Sequence, residues 1–214
     1  SYNYENKGFL NIENLMGISE FSSSMAKKIN EKYFGNEQFV DELAELFVVT
    51  NPNALISIFG KNFVVDFINN FYQSSDSSIY IYVHESKIVG YVFYLNNINT
   101  LKKVKPKNTK LLATLLKNPQ IILKVFKSIN KNKFRKNFNS KTGYLMYLGI
   151  RKEFQGSGLG QDLVNNSIKL LPDKVMHVVT DTKLRKVESF FQKCKFNTIY
   201  SVENSFYLMK RDLN

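Results

Sequence analysis

The chain has 214 residues, of which 43% are hydrophobic, and it carries a formal net charge of +12. This length fits one large domain or two small ones, and the hydrophobic content lies well above that of disordered chains. No apolar run is long enough to span a bilayer, and the polar first twenty residues do not resemble a signal peptide. A lone cysteine, Cys194, excludes an internal disulfide framework, and two distant histidines offer no metal cluster. We therefore expect a cytoplasmic domain without a metal site.

The positive charge is concentrated in one block. Between Ser86 and Lys152 the sequence contains sixteen Lys or Arg and no Asp or Glu, so the rest of the chain is close to balanced. Such an excess suits an anionic partner, which is a phosphorylated ligand, a nucleic acid or a membrane surface. A solvated basic face without a partner explains the outlying lysines equally well.

Patterning divides the chain into three parts. Residues 1–25 lack clear periodicity and are predicted to form an N-terminal extension to a single domain at 26–214. Within that domain, residues at about 96–143 form a basic insertion, which Pro106 and Pro119 punctuate. Two apolar stripes with lysines on the other faces predict two amphipathic helices in the insertion.

The remaining segments alternate between strand and helix patterns. Runs rich in β-branched and aromatic residues predict strands, and apolar residues at helical spacing predict helices. In chain order we predict a strand at 27–34, a helix capped by Asn36 and broken at Asn51-Pro52, a helix at 54–72, a hairpin of strands at 79–83 and 88–94, a strand at 144–150, a helix at 158–171, a strand at 175–180, a helix at 184–193, and strands at 196–202 and 205–210. Alternation in the last third favours a mixed α/β sheet.

The most informative segment is the run from Gln155 to Gly160, which lies between a predicted strand and a predicted helix. Three glycines in five positions let the backbone turn tightly and leave its amides unscreened by side chains. Those amides point toward a helix N-terminus, where unpaired N–H groups and the helix dipole favour an anion. The setting therefore predicts a phosphate or pyrophosphate site. A glycine-rich helix start without a ligand is also compatible with this sequence.

Two other phosphate loops are excluded by the residues of this segment. A P-loop requires Gly-Lys followed by Ser or Thr, whereas Gln161 follows Gly160 here. The dinucleotide fingerprint spaces its glycines differently and stands near the first strand of a βαβ unit.

The spacing resembles the acetyl-coenzyme A signature of the Gcn5-related N-acetyltransferases, which is Arg or Gln, two residues, Gly, one residue, and Gly or Ala. Gln155, Gly158 and Gly160 match it. The strand Tyr147 to Ile150 stands where the family's fourth strand lies, and residues 187–196 are similar to the family's second conserved box.

Upstream residues also resemble one branch of this family. Pro52, Gly60 and Phe63 fit a Pro- and Gly-containing helix that precedes the central hairpin. In all, the resemblance covers about residues 26–95 and 144–212.

The resemblance implies a mixed α/β, acyl-coenzyme A acyltransferase fold and direct attack of an amine on the thioester of acetyl-CoA. It also implies that the loop amides bind the pyrophosphate, while the fourth-strand backbone holds the pantetheine arm and polarises the thioester carbonyl. The implied acetyl-CoA-binding residues are Leu148, Gly149, Ile150, Gln155, Gly156, Ser157, Gly158, Leu159, Gly160, Phe191 and Lys193. Leu148 is also a candidate catalytic residue through its backbone.

The second box departs from the family pattern. Phe191 stands where the family often has the Tyr that protonates the departing thiolate, and Leu184 and Lys195 replace a usual Asn and Gly. Tyr147 and Tyr207 are the candidate substitute acids, with sheet packing as the alternative role for each.

The insertion replaces a turn that is short in the family, near the edge where the acceptor binds. A lysine-rich lid suits a small anionic amine, such as a nucleotide-linked amino sugar. A peripheral membrane contact is an alternative role for the same helices, as is simple packing on the domain. Two other functions remain open: an acyl-CoA sensor or scaffold without efficient chemistry, and a basic module for membranes or nucleic acid. No specific nucleic-acid motif is present, and the sequence is compatible with a monomer or a dimer.

Overall fold

The computed structural model describes residues 27–28, 36–102, 138–202 and 206–213. The predicted N-terminal extension at 1–25 and the two predicted helices of the insertion lie outside these residues. Most of the predicted first strand does so as well.

Strands and helices follow the predicted order. The strands are β1 (Lys27–Lys28), β2 (Ser77–His84), β3 (Lys87–Leu95), β4 (Thr142–Ile150), β5 (His177–Thr182), β6 (Asn197–Val202) and β7 (Phe206–Asp212). The helices are α1 (Glu37–Thr50), α2 (Leu55–Ile58), α3 (Lys61–Tyr72), α4 (Leu159–Ile168) and α5 (Arg185–Lys193), with short 3₁₀ turns at Ile98–Lys102 and Lys152–Phe154.

Within the described residues, the strands form one seven-stranded sheet in the order β1-β2-β3-β4-β5-β7-β6. Only β4 and β5 run parallel, and every other neighbouring pair is antiparallel. The helix between β4 and β5 supplies the crossover that parallel strands require. The predicted mixed α/β sheet is confirmed.

Helices cover both faces of the sheet, because its central strands are apolar on both sides. Tyr91 and Phe93 of β3 pack in the cluster that includes α1 and α3, which we call the α1 face. Val92 and Tyr94 pack in the cluster that includes α4 and α5, which we call the α4 face. Successive side chains of β3 therefore point to opposite faces of the sheet and contribute to two separate cores.

Helix α1 begins and ends where the sequence predicts. The Asn36 side chain accepts hydrogen bonds from the amides of Gln38 (3.0 Å) and Phe39 (3.4 Å), which satisfies two unpaired N–H groups of the first turn. The helix ends at Thr50, before Asn51 and Pro52.

The single helix predicted at 54–72 is wrong in one respect, because the chain breaks it into α2 and α3. Gly60 adopts φ +93° and ψ 168° between them, an extended conformation that is essentially restricted to glycine and cannot continue a helix. Phe63, Phe67 and Phe71 still face the core as predicted.

The edge strand β6 is exposed along its whole length, and Ile199, Tyr200 and Val202 are each more than 40% exposed.

Arg151 fixes the end of β4. Its side chain donates to Glu42 of α1 (2.8 Å) and to the backbone carbonyl of Ile88 (2.6 Å).

We expect Gly149→Ala to destabilise the fold by about 1–3 kcal/mol, as overpacked core sites do. An added Cβ at Gly149 would collide with the Thr50 hydroxyl and the Tyr91 ring. Urea unfolding of the variant measures the loss. Gly160→Ala is the control, because its Cβ would meet nothing closer than 3.3 Å and alanine suits a helix. An equal loss in both variants would contradict the prediction.

Cys194 is buried at the end of α5. Burial raises the pKa of its thiol to about 12. We expect Ellman's reagent at pH 8 to leave the folded protein unmodified and to react with one thiol once urea has unfolded it, because the thiolate is the reactive form. Rapid reaction of the folded protein would show that the thiol is accessible.

Candidate active site

Strands β4 and β5 are joined only at one end. Three residue pairs connect them, from Thr142 and His177 to Tyr144 and Val179. Beyond those pairs the two strands separate, although β4 continues to Ile150 and β5 to Thr182. The sheet therefore opens into a fork whose arms are the C-terminal parts of two neighbouring parallel strands.

A β-bulge in β4 contributes to this opening. Across the β3–β4 pair, Phe93 opposes Tyr147 and Tyr94 opposes Leu145, so Met146 is an extra residue on β4. A bulge bends its strand and increases the local twist. The bulge lies just past the last β4–β5 pair, where the two strands begin to separate.

Two side-chain hydrogen bonds link the strands where the fork begins. The Thr180 hydroxyl donates to the backbone carbonyl of Leu145 at 3.1 Å. The Tyr144 hydroxyl donates to a carboxylate oxygen of Asp181. These links hold the arms at a defined separation after the backbone ladder has ended.

The fork encloses a cleft of about 530 Å³. One wall comes from β4 and the other from β5 and α5, and residues of the glycine-rich loop and of the end of α1 complete the lining. The lining residues are Thr50, Asn51, Leu145, Met146, Tyr147, Leu148, Gly149, Ile150, Gln155, Gly160, Thr180, Asp181, Thr182, Leu184, Lys186, Val187, Phe190 and Phe191.

The loop from Gln155 to Gly160 presents backbone amides beside the cleft, which its first and last residues line. Gly156 and Gly158 have φ values of +86° and +90°, which L-amino acids with side chains rarely adopt. Among the described residues, the N–H groups of Gly156, Ser157, Gly158 and Gly160 have no hydrogen-bond acceptor. Helix α4 starts at Leu159, so its positive end adds to the attraction for an anion.

Side chains of the loop stabilise this arrangement. The Gln155 amide donates to the backbone carbonyl of Ile150 (2.9 Å), and the Ser157 hydroxyl donates to that of Phe154 (2.7 Å). The first bond attaches the loop directly to the end of β4. The matching glutamine of the motif therefore acts as a brace between strand and loop in this chain.

A polar cluster at the C-terminus of α1 forms part of the cleft lining. The hydroxyls of Thr50 and Tyr91 are 2.7 Å apart, and the Asn51 amide donates to the backbone carbonyl of Leu148 at 3.4 Å. Burial raises the pKa of Tyr91, so its hydroxyl stays protonated at any physiological pH.

Most residues singled out from the sequence lie at this cleft. Those that line it are Tyr147, Leu148, Gly149, Ile150, Gln155, Gly160 and Phe191. The exposed residues Gly156, Ser157 and Gly158 continue the loop, whereas the side chain of Leu159 is buried in the core of the α4 face.

Two predicted site residues lie away from the lining. Tyr207 pairs with Thr182 across β5 and β7 and packs against the core of the α4 face. Lys193 is exposed at the end of α5, where its backbone carbonyl accepts a hydrogen bond from Gln161 of α4 (3.1 Å). His177, which the sequence places within the predicted strand at 175–180, is partly exposed and pairs with Asp212 at 2.5 Å.

Sequence reasoning missed the polar residues of β5 and of α1's C-terminus. Asp181 and Thr180 lie in a short strand, and Thr50 and Asn51 precede the proline that ends a helix. Asp181 is the single carboxylate of β5, whose sequence is His-Val-Val-Thr-Asp-Thr, and the strand predicted at 175–180 ended just before it. Its significance depends on the fork, which local patterns do not reveal.

Other features of the described residues bear on the class of protein. None of their helices has both the length and the hydrophobicity of a membrane span. These ranges also contain no group of three or more His, Cys, Asp or Glu side chains arranged to hold a metal ion.

Solved structures with this fold are numerous and distant in sequence. An acetyltransferase from Thermus thermophilus has a TM-score of 0.56 and 13% identity, over 88% of this chain and 97% of that one. An aminoglycoside 6'-acetyltransferase type Ii has a TM-score of 0.55 and 12% identity, over 88% and 96%. The PaiA N-acetyltransferase of Thermoplasma acidophilum, solved with coenzyme A, has a TM-score of 0.51 and 11% identity, over 82% and 94%.

At the level of sequence, no curated protein matches the chain significantly. The family model described as "Acetyltransferase (GNAT) family" matches residues 40–196, which include the fork, the glycine-rich loop and α5. The chain therefore belongs to the GNAT family and is an acetyltransferase whose co-substrate is acetyl-CoA.

Proposed function

We propose that this acetyltransferase transfers the acetyl group to the primary amine of a small molecule, with the thioester held in the β4–β5 fork. The observation that carries the proposal is that Gln155 and Gly160 of the glycine-rich loop line the same cleft as β4. A molecule with a pyrophosphate at one end and amide groups along an arm matches the free amides of the loop and the unpaired edge of β4.

In this arrangement the residues Gln155 to Gly160 bind the pyrophosphate through backbone N–H groups. The backbone from Leu148 to Ile150 holds the pantetheine arm and stabilises the negative charge that develops on the thioester oxygen during attack. Because both reactants are held in one cleft, a bimolecular reaction becomes effectively unimolecular. This proximity supplies much of the rate acceleration.

The acceptor that we propose is a small anionic amine, such as a nucleotide-linked amino sugar. Its support is the block of sixteen positive charges between Ser86 and Lys152, which surrounds the insertion in the sequence. A contact of the same block with an anionic membrane surface would use the same charges. Binding of amino sugars with and without a nucleotide, measured at two salt concentrations, separates these roles.

Loss of acetyl-CoA affinity should follow from placing a negative charge in the loop. We expect Gly158→Asp to raise the Kd for acetyl-CoA at least about tenfold by calorimetry, since a carboxylate would repel the pyrophosphate. S-acetylpantetheine, which lacks the pyrophosphate, should bind wild type and variant alike.

Gly60→Asp is the matched control for this substitution. Its φ of +93° nearly equals the +90° of Gly158, and neither position has an atom within 4 Å of an added Cβ. The ψ values differ, 168° at Gly60 and −14° at Gly158, and the Gly60 conformation is the one essentially restricted to glycine, so the control carries at least as much backbone strain far from the loop. Equal weakening of acetyl-CoA binding in both variants would remove the assignment of the pyrophosphate to this loop.

The departing thiolate requires a proton, and Phe191 has none to give. Tyr147 is the candidate donor, because it lines the cleft. Its ring packs edge-on against Phe47 at 4.8 Å, and Tyr147→Phe preserves that contact while it removes the hydroxyl.

We expect Tyr147→Phe to lower kcat by about 10²-fold with little change in acetyl-CoA affinity, the usual size of a general-acid contribution. Tyr207→Phe, which changes a tyrosine away from the cleft lining, should leave kcat unchanged. Steady-state kinetics with a saturating amine measure both. An unaffected kcat in Tyr147→Phe would mean that solvent protonates the thiolate.

A sensor or scaffold that binds acetyl-CoA without efficient turnover is the competing function, and Phe191 in the cleft wall favours it. Tight acetyl-CoA binding without release of coenzyme A, across a panel of amines, would favour this alternative.

A further inference from the structure

Asp181 occupies a distinctive position in the cleft. Among the described residues that line it, Asp181 is the single carboxylate and Lys186 the single Lys or Arg. The Asp181 side chain is only partly exposed and accepts a hydrogen bond from the buried Tyr144 hydroxyl. The fork thus contains a fixed negative charge. The roles proposed for the glycine-rich loop and the fourth-strand backbone give this charge no function.

Asp181 lies on the opposite face of the sheet from the glycine-rich loop. Val179, two residues earlier in β5, packs in the core of the α1 face, and so does Tyr144. Residues two apart in a strand share a face, so Asp181 also belongs to the α1 face. Helix α4, which follows the loop, packs on the other face.

This placement separates the two substrates. If the proposed pyrophosphate site anchors acetyl-CoA from the α4 face, the α1 face of the fork remains for the acceptor. On that face the cleft is lined by Thr50, Asn51, Met146, Tyr147 and Asp181, a polar surface with one negative charge. Such a surface suits the ammonium end of an acceptor, whatever the charge of the rest of the molecule.

From this geometry we infer that Asp181 is a catalytic residue that accepts a proton from the acceptor ammonium. A primary aliphatic amine is protonated at neutral pH and has no free electron pair for attack. Asp181 takes one N–H proton and passes it to solvent, and the freed electron pair forms the N–C bond with the thioester carbonyl carbon. The C–S bond then breaks with its electrons on sulfur, Tyr147 protonates the thiolate, and the second proton from nitrogen restores the Tyr147 hydroxyl. This inference rests on the proposed function.

Tyr144 is a positioning residue in this scheme. Its hydroxyl donates to the Asp181 carboxylate from the last β4–β5 residue pair, where the strands are still joined. The hydrogen bond fixes the carboxylate at the start of the fork. A purely structural role, in which the pair only braces the two strands, would also use this contact, so the test must distinguish the two.

Two amines of similar shape and different charge make that distinction at pH 7. Benzylamine is protonated and needs a base, whereas O-benzylhydroxylamine is already neutral and does not. We expect Asp181→Asn to lower kcat/KM for benzylamine at least about 10²-fold and that for O-benzylhydroxylamine less than about threefold. Asp181→Glu should recover part of the benzylamine activity, and Tyr144→Phe should lower it about tenfold.

Calorimetry of acetyl-CoA binding shows whether each variant is folded. An equal loss on both amines in Asp181→Asn, or no loss on either, would overturn the assignment of Asp181 and leave the acetyltransferase proposal intact. A wild-type protein that binds acetyl-CoA but acetylates neither these two amines nor a nucleotide-linked amino sugar would overturn the small-amine proposal and, with it, the role of Asp181.

Discussion

The end of backbone pairing between β4 and β5, after Tyr144 and Val179, is the constraint on which the site depends. A strand edge that loses its neighbour has N–H and C=O groups that need new partners, because unpaired buried backbone groups are costly. In this fork a ligand arm with amide groups can supply those partners. The Met146 bulge, the Thr180 hydrogen bond and the Tyr144–Asp181 pair all occur within a few residues of that point. They connect the two arms at the point where the opening begins.

The two faces of the sheet divide the chemistry between them. The α4 face carries the helix N-terminus and the glycine-rich loop, which suit a phosphate group. The α1 face carries neutral polar groups and one carboxylate. The thioester lies between these environments in the proposed reaction, so an amine and acetyl-CoA reach it without competing for the same surface. Phe191 stands where the family pattern often has the acid that protonates the thiolate. This replacement concerns only the leaving-group side of the arrangement.

Local patterns of the sequence were sufficient for much of this structure. The cap at Asn36, the stop at Asn51-Pro52 and the apolar central hairpin depend on neighbouring residues, and all three appear as predicted. The glycine spacing at 156–160 likewise determines its own loop. In contrast, the bulge at Met146 and the role of Asp181 depend on the register between strands distant in the sequence, which no window of a single chain contains. The break at Gly60 was missed because an isolated glycine is compatible with a continuous helix.

The crowding around Gly149 has a consequence for how related proteins diverge. Gly149 lies directly opposite Tyr91 in the β3–β4 pair, and the Tyr91 ring and the Thr50 hydroxyl occupy the space that a side chain would need. Three positions from three separate elements therefore restrict one another over evolutionary time. A larger residue at 149 is accessible only to a lineage in which position 50 or 91 has already become smaller. Substitutions at these positions should be inherited as compatible triples, and the inner wall of the fork should change in concerted steps.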